Sequence, residues 1–160
     1  MERITDTHIY FWGGELSNWY SCIFKYKGHA FKNTEQAFMW EKAIYFNDVL
    51  TATEILDEPN PRRNKALGRS IKNFNSEEWL KVSFKYMFDV NFAKWTSSFK
   101  LRRIILSTDS KILVEASPYD RIWGIGLHWE DDDVLDERKW KGTNWLGKCL
   151  MEVREKIINK

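Results

Sequence analysis

A carboxylate and an amine on one apolar helix are the residues of this chain best suited to do chemistry. The segment EQAFMWEKAIYF, residues 35–46, is apolar almost all round, with Ala37, Phe38, Met39, Trp40, Ala43, Ile44 and Phe46. That is the pattern of a buried central helix. Within it Glu35 and Lys42 stand seven positions apart. At about 100° per residue they fall within roughly 20° of one line, on a stripe otherwise made of Phe38, Met39 and Phe46. Their backbones lie about 10 Å apart along the axis, too far for an i to i+4 ion pair but suited to two groups reaching one ligand.

Two chemistries follow. Burial of an ammonium favours its neutral form, and a neutral lysine is a nucleophile able to form a Schiff base with a sugar aldehyde. A carboxylate beside C1 of a ribose stabilises an oxocarbenium-like centre or activates water. A plainer reading has Lys42 reaching to the surface along its aliphatic stem and Glu35 simply favoured at a helix N-terminus. The helix by itself leaves these readings open.

The elements that must position this helix are legible as patterns. Short strands are expected at residues 8–12 and 21–26, with Lys27-Gly28 as the turn of a hairpin to residues 29–31. Asn33 or Thr34 then caps the helix, which runs to about Phe46. A second helix is expected over residues 49–56, stopped by Pro59 and Pro61, and a third over 63–67 before Gly68. Ser76, followed by Glu77 and Glu78, opens a long helix. Trp79, Val82, Ser83, Tyr86, Met87 and Val90 line one face of it; Phe84, Phe88, Phe92 and Trp95 line another. A helix at 99–106, a strand at 112–115 and a C-terminal helix with Trp145, Cys149, Leu150, Val153 and Ile157 inward complete the chain. The expected fold is mainly α, a compact single domain over residues 1–160 with a small β component near the N-terminus.

Composition narrows the function. The 160 residues carry 25 Lys and Arg against 23 Asp and Glu, a net charge of +2 that lacks the basic excess of a protein gripping long nucleic acid. Aromatics make up 16%, with nine Trp, enough for a bulky core and for flat faces that stack on bases. The N-terminal MERITDTHIY carries charges where a signal peptide has its apolar core, and no apolar run is long enough to span a membrane, so a cytoplasmic location is expected. Cys22 and Cys149 match no paired spacing and read as free thiols. His8, His29 and His128 are dispersed, residues 131–136 lack the Gly and Glu of a calcium loop, and Gly124-Ile125-Gly126 completes no dinucleotide fingerprint. Neither metal nor cofactor is expected.

An ordered set of motifs goes further. Thr34-Glu35-Gln36, then Phe38 and Lys42, resembles the NADAR (YbiA-like) pattern of Ser/Thr, Glu, His/Gln, a spaced Phe and Lys. Ser17-Asn18 precedes it; Lys65, Gly68, Arg69, Trp79 and Met87 follow in order. LVEASPYDRIWGIG (residues 113–126) resembles the family's Leu-Val-Glu, Asp, Trp-Gly segment, and GTNWLGKCLMEVR (residues 142–154) its Gly-x-Asn-x-Leu-Gly ending. The resemblance is collinear from about residue 16 to 154. It implies a mainly α fold and hydrolysis of N-glycosidic bonds, of ribosylamino-pyrimidine phosphates from riboflavin synthesis in some members and of ADP-ribose on guanine in others. It also implies Glu35 and Lys42 as the leading catalytic pair with Asp120, and Trp123, Asn18, Arg69, Gly124, Asn144 and Glu115 toward substrate. Trp123 offers a stacking face and Arg69 a planar fork for phosphate.

Two departures stand out. Asn91-Phe92 occupies the place of the Lys-Phe of many relatives, with Lys94 as a candidate replacement. Residues 129–139, with Asp131, Asp132 and Asp133, are longer than in compact bacterial relatives and read as a solvated loop. The expected partner is a small ribosyl-phosphate or ADP-ribosyl molecule, with nucleic acid only as a modified substrate. The competing functions are removal of ADP-ribose from guanine in nucleic acid and a domain that binds ADP-ribose or an NAD-derived ligand without cutting.

Overall fold

In chain order the computed structural model, which describes residues 1–160, runs β1 (Glu2–Ile4), β2 (His8–Phe11), β3 (Phe24–Tyr26), β4 (His29–Phe31), α1 (Thr34–Tyr45), α2 (Val49–Asp57), α3 (Pro61–Arg69), α4 (Ser76–Thr96), α5 (Phe99–Leu106), β5 (Ile112–Glu115) and α6 (Trp145–Ile158). The class is mainly α, as expected. No helix is long and apolar enough to cross a membrane. Two compact units form, Met1–Ser17 with Ser98–Lys160, and Asn18–Ser97.

The helical unit begins with a hairpin. Lys27 at φ 48° and Gly28 at φ 82° put two positive-φ residues between β3 and β4, the turn whose twist matches paired strands. Asn33 then caps α1, its side chain accepting the Gln36 N–H at 2.7 Å. Residues 34–41 and Ala43 are all buried, as an all-round apolar pattern demands. Helices α2, α3 and α4 pack around α1, and α4 also packs on β3. Trp79, Ser83, Met87 and Val90 form the buried spine of α4.

The third helix is longer than its sequence pattern suggested. Asn60 caps it through the Arg62 and Arg63 N–H groups and Pro61 occupies its first turn, where a missing N–H costs nothing. Gly68 lies inside the helix instead of ending it. A Cβ there would stand 2.0 Å from Met39 Sδ, so this glycine serves close packing of α3 on α1. The long helix is capped by Asn75, one residue before the expected start.

In the other unit β2 is the centre of a three-stranded sheet, antiparallel to β1 and parallel to β5. Strand β1 had no alternating signature. Tyr10, Val114, Ala116, Ile125, Leu127 and Val134 make the core, with Trp129 and Trp140 packed against it. Helix α6 lies on β5, and α5 on α6.

Candidate functional site

Helix α1 carries Glu35 and Lys42 as the stripe predicted. Glu35 stands in the first turn, 8% exposed, and its N–H donates to the Asn18 carbonyl at 3.0 Å. Lys42 is half-buried in the last turn and does not simply reach outward. Its Nζ donates to the Gly68 carbonyl at 2.8 Å and lies 4.4 Å from the centre of the Phe74 ring. Burial pushes this ammonium below the usual lysine range; Glu35's charge pulls it back up and Arg69's pushes it further down. The carboxylate, the amine and the guanidinium therefore act on one another electrically, although Arg69 itself is exposed at the end of α3. Such an amine holds a larger neutral fraction than a surface lysine at the same pH.

Asn18 is the link to α4. Its Nδ2 faces Met87 Sδ at 3.4 Å and its Oδ1 accepts from Asn91 Nδ2 at 3.4 Å, while Asn91 also donates to the Met87 carbonyl at 3.1 Å. Asn91 is fully buried and its Oδ1 has no donor. The position that departs from the family pattern thus sits in the cluster that anchors the Glu35 peptide. Lys94, one turn on, is 0% exposed, its ammonium 4.4 Å from the Trp95 ring centre and 5.5 Å from that of Tyr20.

A second buried carboxylate on α1 escaped the sequence reading. Glu41 accepts from the Tyr26 hydroxyl at 2.7 Å and from Lys27 Nζ at 2.6 Å. Burial, then the bond to Glu41, drives the Tyr26 hydroxyl far above its usual range. Its only sequence signal was an acid in an apolar helix, the same signal Glu35 gave. Gln36, part of the Thr-Glu-Gln motif, is structural: its Nε2 donates to the carbonyls of Ile55, Leu56 and Glu58 at the end of α2.

The remaining five predicted residues come together in the sheet-bearing unit, through backbone. One Asp120 oxygen accepts the N–H groups of Ile122 at 2.9 Å and Trp123 at 2.8 Å, and the Asp120 carbonyl accepts from Gly126. Trp123 is half-buried and meets Trp145 edge-on at 5.6 Å. A Cβ on Gly124 would lie 3.0 Å from the carbonyls of both Asp120 and Glu115. Asn144 stands at the N-cap position of α6 but makes no cap bond; at φ 52° it turns its amide the other way. Its Oδ1 accepts the Glu115 N–H at 2.9 Å, its Nδ2 donates to the Leu113 carbonyl at 3.0 Å, and its own N–H donates to the Gly124 carbonyl. It clamps β5 to the loop, and Gly147 makes room, since a Cβ there would stand 2.0 Å from the Leu113 oxygen.

No group of three or more His, Cys, Asp or Glu side chains is placed to hold a metal. The cysteines are free.

The NADAR domain matches residues 10–158. The chain is 40% identical over 129 residues to Protein irg-1 of Caenorhabditis elegans, covering 79% of this chain and 61% of that one. It is 35% identical over 164 residues to N-glycosidase R617 of Acanthamoeba polyphaga mimivirus, covering 94% and 96%. Against the chloroplastic riboflavin biosynthesis protein PYRR of Arabidopsis thaliana it is 30% identical over 105 residues, 63% of this chain and 16% of that protein. The NMR structure of Escherichia coli YbiA superposes with a TM-score of 0.79 at 28% identity, over 98% of this chain and 88% of YbiA. Relatives that carry the enzyme name N-glycosidase support glycosyl-hydrolase activity in this chain. The chain belongs to the NADAR domain family.

Proposed function

We propose that this chain is an N-glycosidase that cleaves the bond between C1 of a phosphorylated or ADP-ribosyl ribose and the nitrogen of a base, acting in the cytoplasm. The observation that carries this reading is the Lys42 amine, half-buried, held by the Gly68 carbonyl, and felt by both Glu35 and Arg69. An amine whose proton a neighbouring guanidinium disfavours invites an anion, and a buried carboxylate suits the cationic sugar that forms as the C–N bond breaks.

In the reaction, water adds to C1 and the base departs with a proton. Along the direct route Glu35 takes a proton from the attacking water and offsets charge at C1. Along the covalent route the neutral Lys42 amine attacks C1 and the base leaves with a proton; the C1–O4′ bond then breaks, with O4′ protonated, to give an iminium, and water hydrolyses it to free the sugar and regenerate the amine. Asp120 and Trp123 serve the substrate from the loop, Trp123 as a stacking face. Asn18 supports Glu35, Arg69 takes the phosphate, and Gly124, Asn144 and Glu115 keep the loop in shape. Residues 1–160 are read as one functional domain because the family match runs through both units.

A ribosylamino-pyrimidine phosphate is the first substrate to test, given a relative named for riboflavin biosynthesis. Purified protein is incubated with that compound, with ADP-ribosylated guanine nucleotide and with NAD, and released base is measured. Base release from one of them, lost in Glu35→Gln, is the expected result. Binding without turnover of any would overturn the enzyme reading in favour of a ligand-binding domain. Borohydride trapping of a sugar on Lys42 selects the covalent route.

A further inference from the structure

We propose that an aromatic cluster at the surface of the sheet-bearing unit, Trp12 with Tyr119, His128 and Trp129, is a stacking site for a nucleobase. The proposal rests on the N-glycosidase reading and deepens it, because the substrate of such an enzyme carries a flat base, for which this cluster offers a stacking face besides Trp123.

Three ring contacts build the cluster from distant segments. Trp12 meets Tyr119 at 5.6 Å and 58°, and meets His128 edge-on at 5.4 Å; His128 meets Trp129 at 5.0 Å. One end is anchored, since Trp129 packs on the buried core. The other end is open: Tyr119 is 83% exposed and Trp12 37%. A tyrosine ring in water gains nothing for folding, so its surface is available to a ligand.

This ring does not hang on a slack loop. The Tyr119 N–H donates to Ser117 Oγ at 3.2 Å, and the next residue is Asp120, whose carboxylate fixes the Ile122 and Trp123 peptides. Trp12 and Tyr119 already touch at the spacing of an aromatic pair, so a base stacks on the open face of Tyr119 and not between the two.

Charge selects a nucleotide over a neutral flat molecule. Arg121 and Lys141 are exposed and converge on Gly126, where a Cβ would lie 3.3 Å from Arg121 Cγ and 3.0 Å from Lys141 Cβ. Two exposed cationic side chains thus leave the backbone close together, Arg121 two residues after Tyr119. The acidic residues beyond Trp129 are partly paired, Asp132 with Arg3 at 3.1 Å and Asp133 with Lys139 at 3.3 Å. Aromatic faces beside cationic side chains are the elements by which bases are held without sequence preference.

Isothermal titration of the full chain with guanosine monophosphate, ribose 5-phosphate and a short single-stranded oligonucleotide tests the site. Wild type should bind the nucleotide more tightly than the sugar phosphate. Tyr119→Ala, its fold checked by circular dichroism, should lose about tenfold for the nucleotide and nothing for ribose 5-phosphate, while Tyr119→Phe stays near wild type. A larger loss on the oligonucleotide assigns the base to a strand; an equal loss assigns it to a free nucleotide. Unchanged nucleotide affinity in Tyr119→Ala overturns the proposal, as does tight binding of a proline-rich peptide with no nucleotide binding. Turnover that needs Glu35 but has the same KM in Tyr119→Ala removes the stacking site and keeps the enzyme. Lost nucleotide affinity in that variant, with no turnover of any substrate, does the reverse.

Discussion

Glu35 and Lys42 are placed by one helix, whereas Glu115, Asp120, Trp123, Gly124 and Asn144 are placed by hydrogen bonds between stretches of chain up to 31 residues apart. In the first region the helix itself sets the spacing of the two side chains, and the Lys42 amine meets one backbone carbonyl, that of Gly68. In the second, side-chain groups are spent on the backbone: one Asp120 oxygen holds two peptides, and the Asn144 amide holds two more. The difference predicts that substitutions on α1 strike chemistry with little loss of fold, and that those on the loop strike fold first.

The largest effect belongs to α1. Glu35→Gln and Lys42→Met should each lower kcat about a hundredfold to ten-thousandfold, the range for a positioned acid, base or nucleophile, with a melting temperature near that of wild type. Asp120→Asn should give a smaller fall in kcat accompanied by a lower melting temperature. Equal rate losses at Asp120 and Glu35, with neither variant destabilised, would erase the distinction between the regions.

Next come two glycines whose Cβ would meet something at the same distance but of different kinds. At Gly147 the obstacle is the Leu113 carbonyl oxygen, with the Asn144 amide at 2.4 and 2.5 Å; at Gly68 it is the end of the Met39 side chain. A strand cannot swing aside and a thioether can. Gly147→Ala should therefore cost about 3 kcal/mol, and Gly68→Ala about 1 kcal/mol, by denaturant unfolding. Asn144→Ala should cost about 2–3 kcal/mol, since the Glu115 N–H and the Leu113 carbonyl lose their partner. Asn144→Gly should recover only the ~1 kcal/mol of left-handed backbone strain. Full recovery in the glycine variant would mean that the amide clamp contributes little.

How much of this was legible in the sequence follows the same division. Helix α1, the hairpin at Lys27-Gly28, and α2, α4 and α5 announce themselves because periodicity, caps and turn residues are local. So does the Glu35 and Lys42 stripe, which needs only 3.6 residues per turn. The pairing of β2 with β5 is not local: the strands are four residues long and some hundred residues apart, and nothing in either names the other. Asn144 occupies the N-cap position of α6, and only the fold shows its amide turned to β5. Glu41 looked no different from Glu35, and what separates them is Tyr26 and Lys27, supplied by the hairpin. Gly68 read as a stop because its packing partner, Met39, lies on another helix.

The smallest effect is the most direct probe of the α1 region. Burial lowers the Lys42 ammonium, Glu35 raises it and Arg69 lowers it. In ¹³C-lysine NMR one resonance should titrate below the other lysines; it should fall further in Glu35→Gln and climb in Arg69→Ala. The sign of the linkage is fixed. Between the lowered native value and the ordinary lysine value the unfolded chain holds a proton that the native chain has released, so stability rises with pH across that window. Below the native value both states are protonated and the cost of burying the ammonium is fully present. Lys42→Met should flatten this slope. A Lys42 resonance that Arg69→Ala leaves unmoved would detach Arg69 from the amine, and with it the anion-binding half of the region.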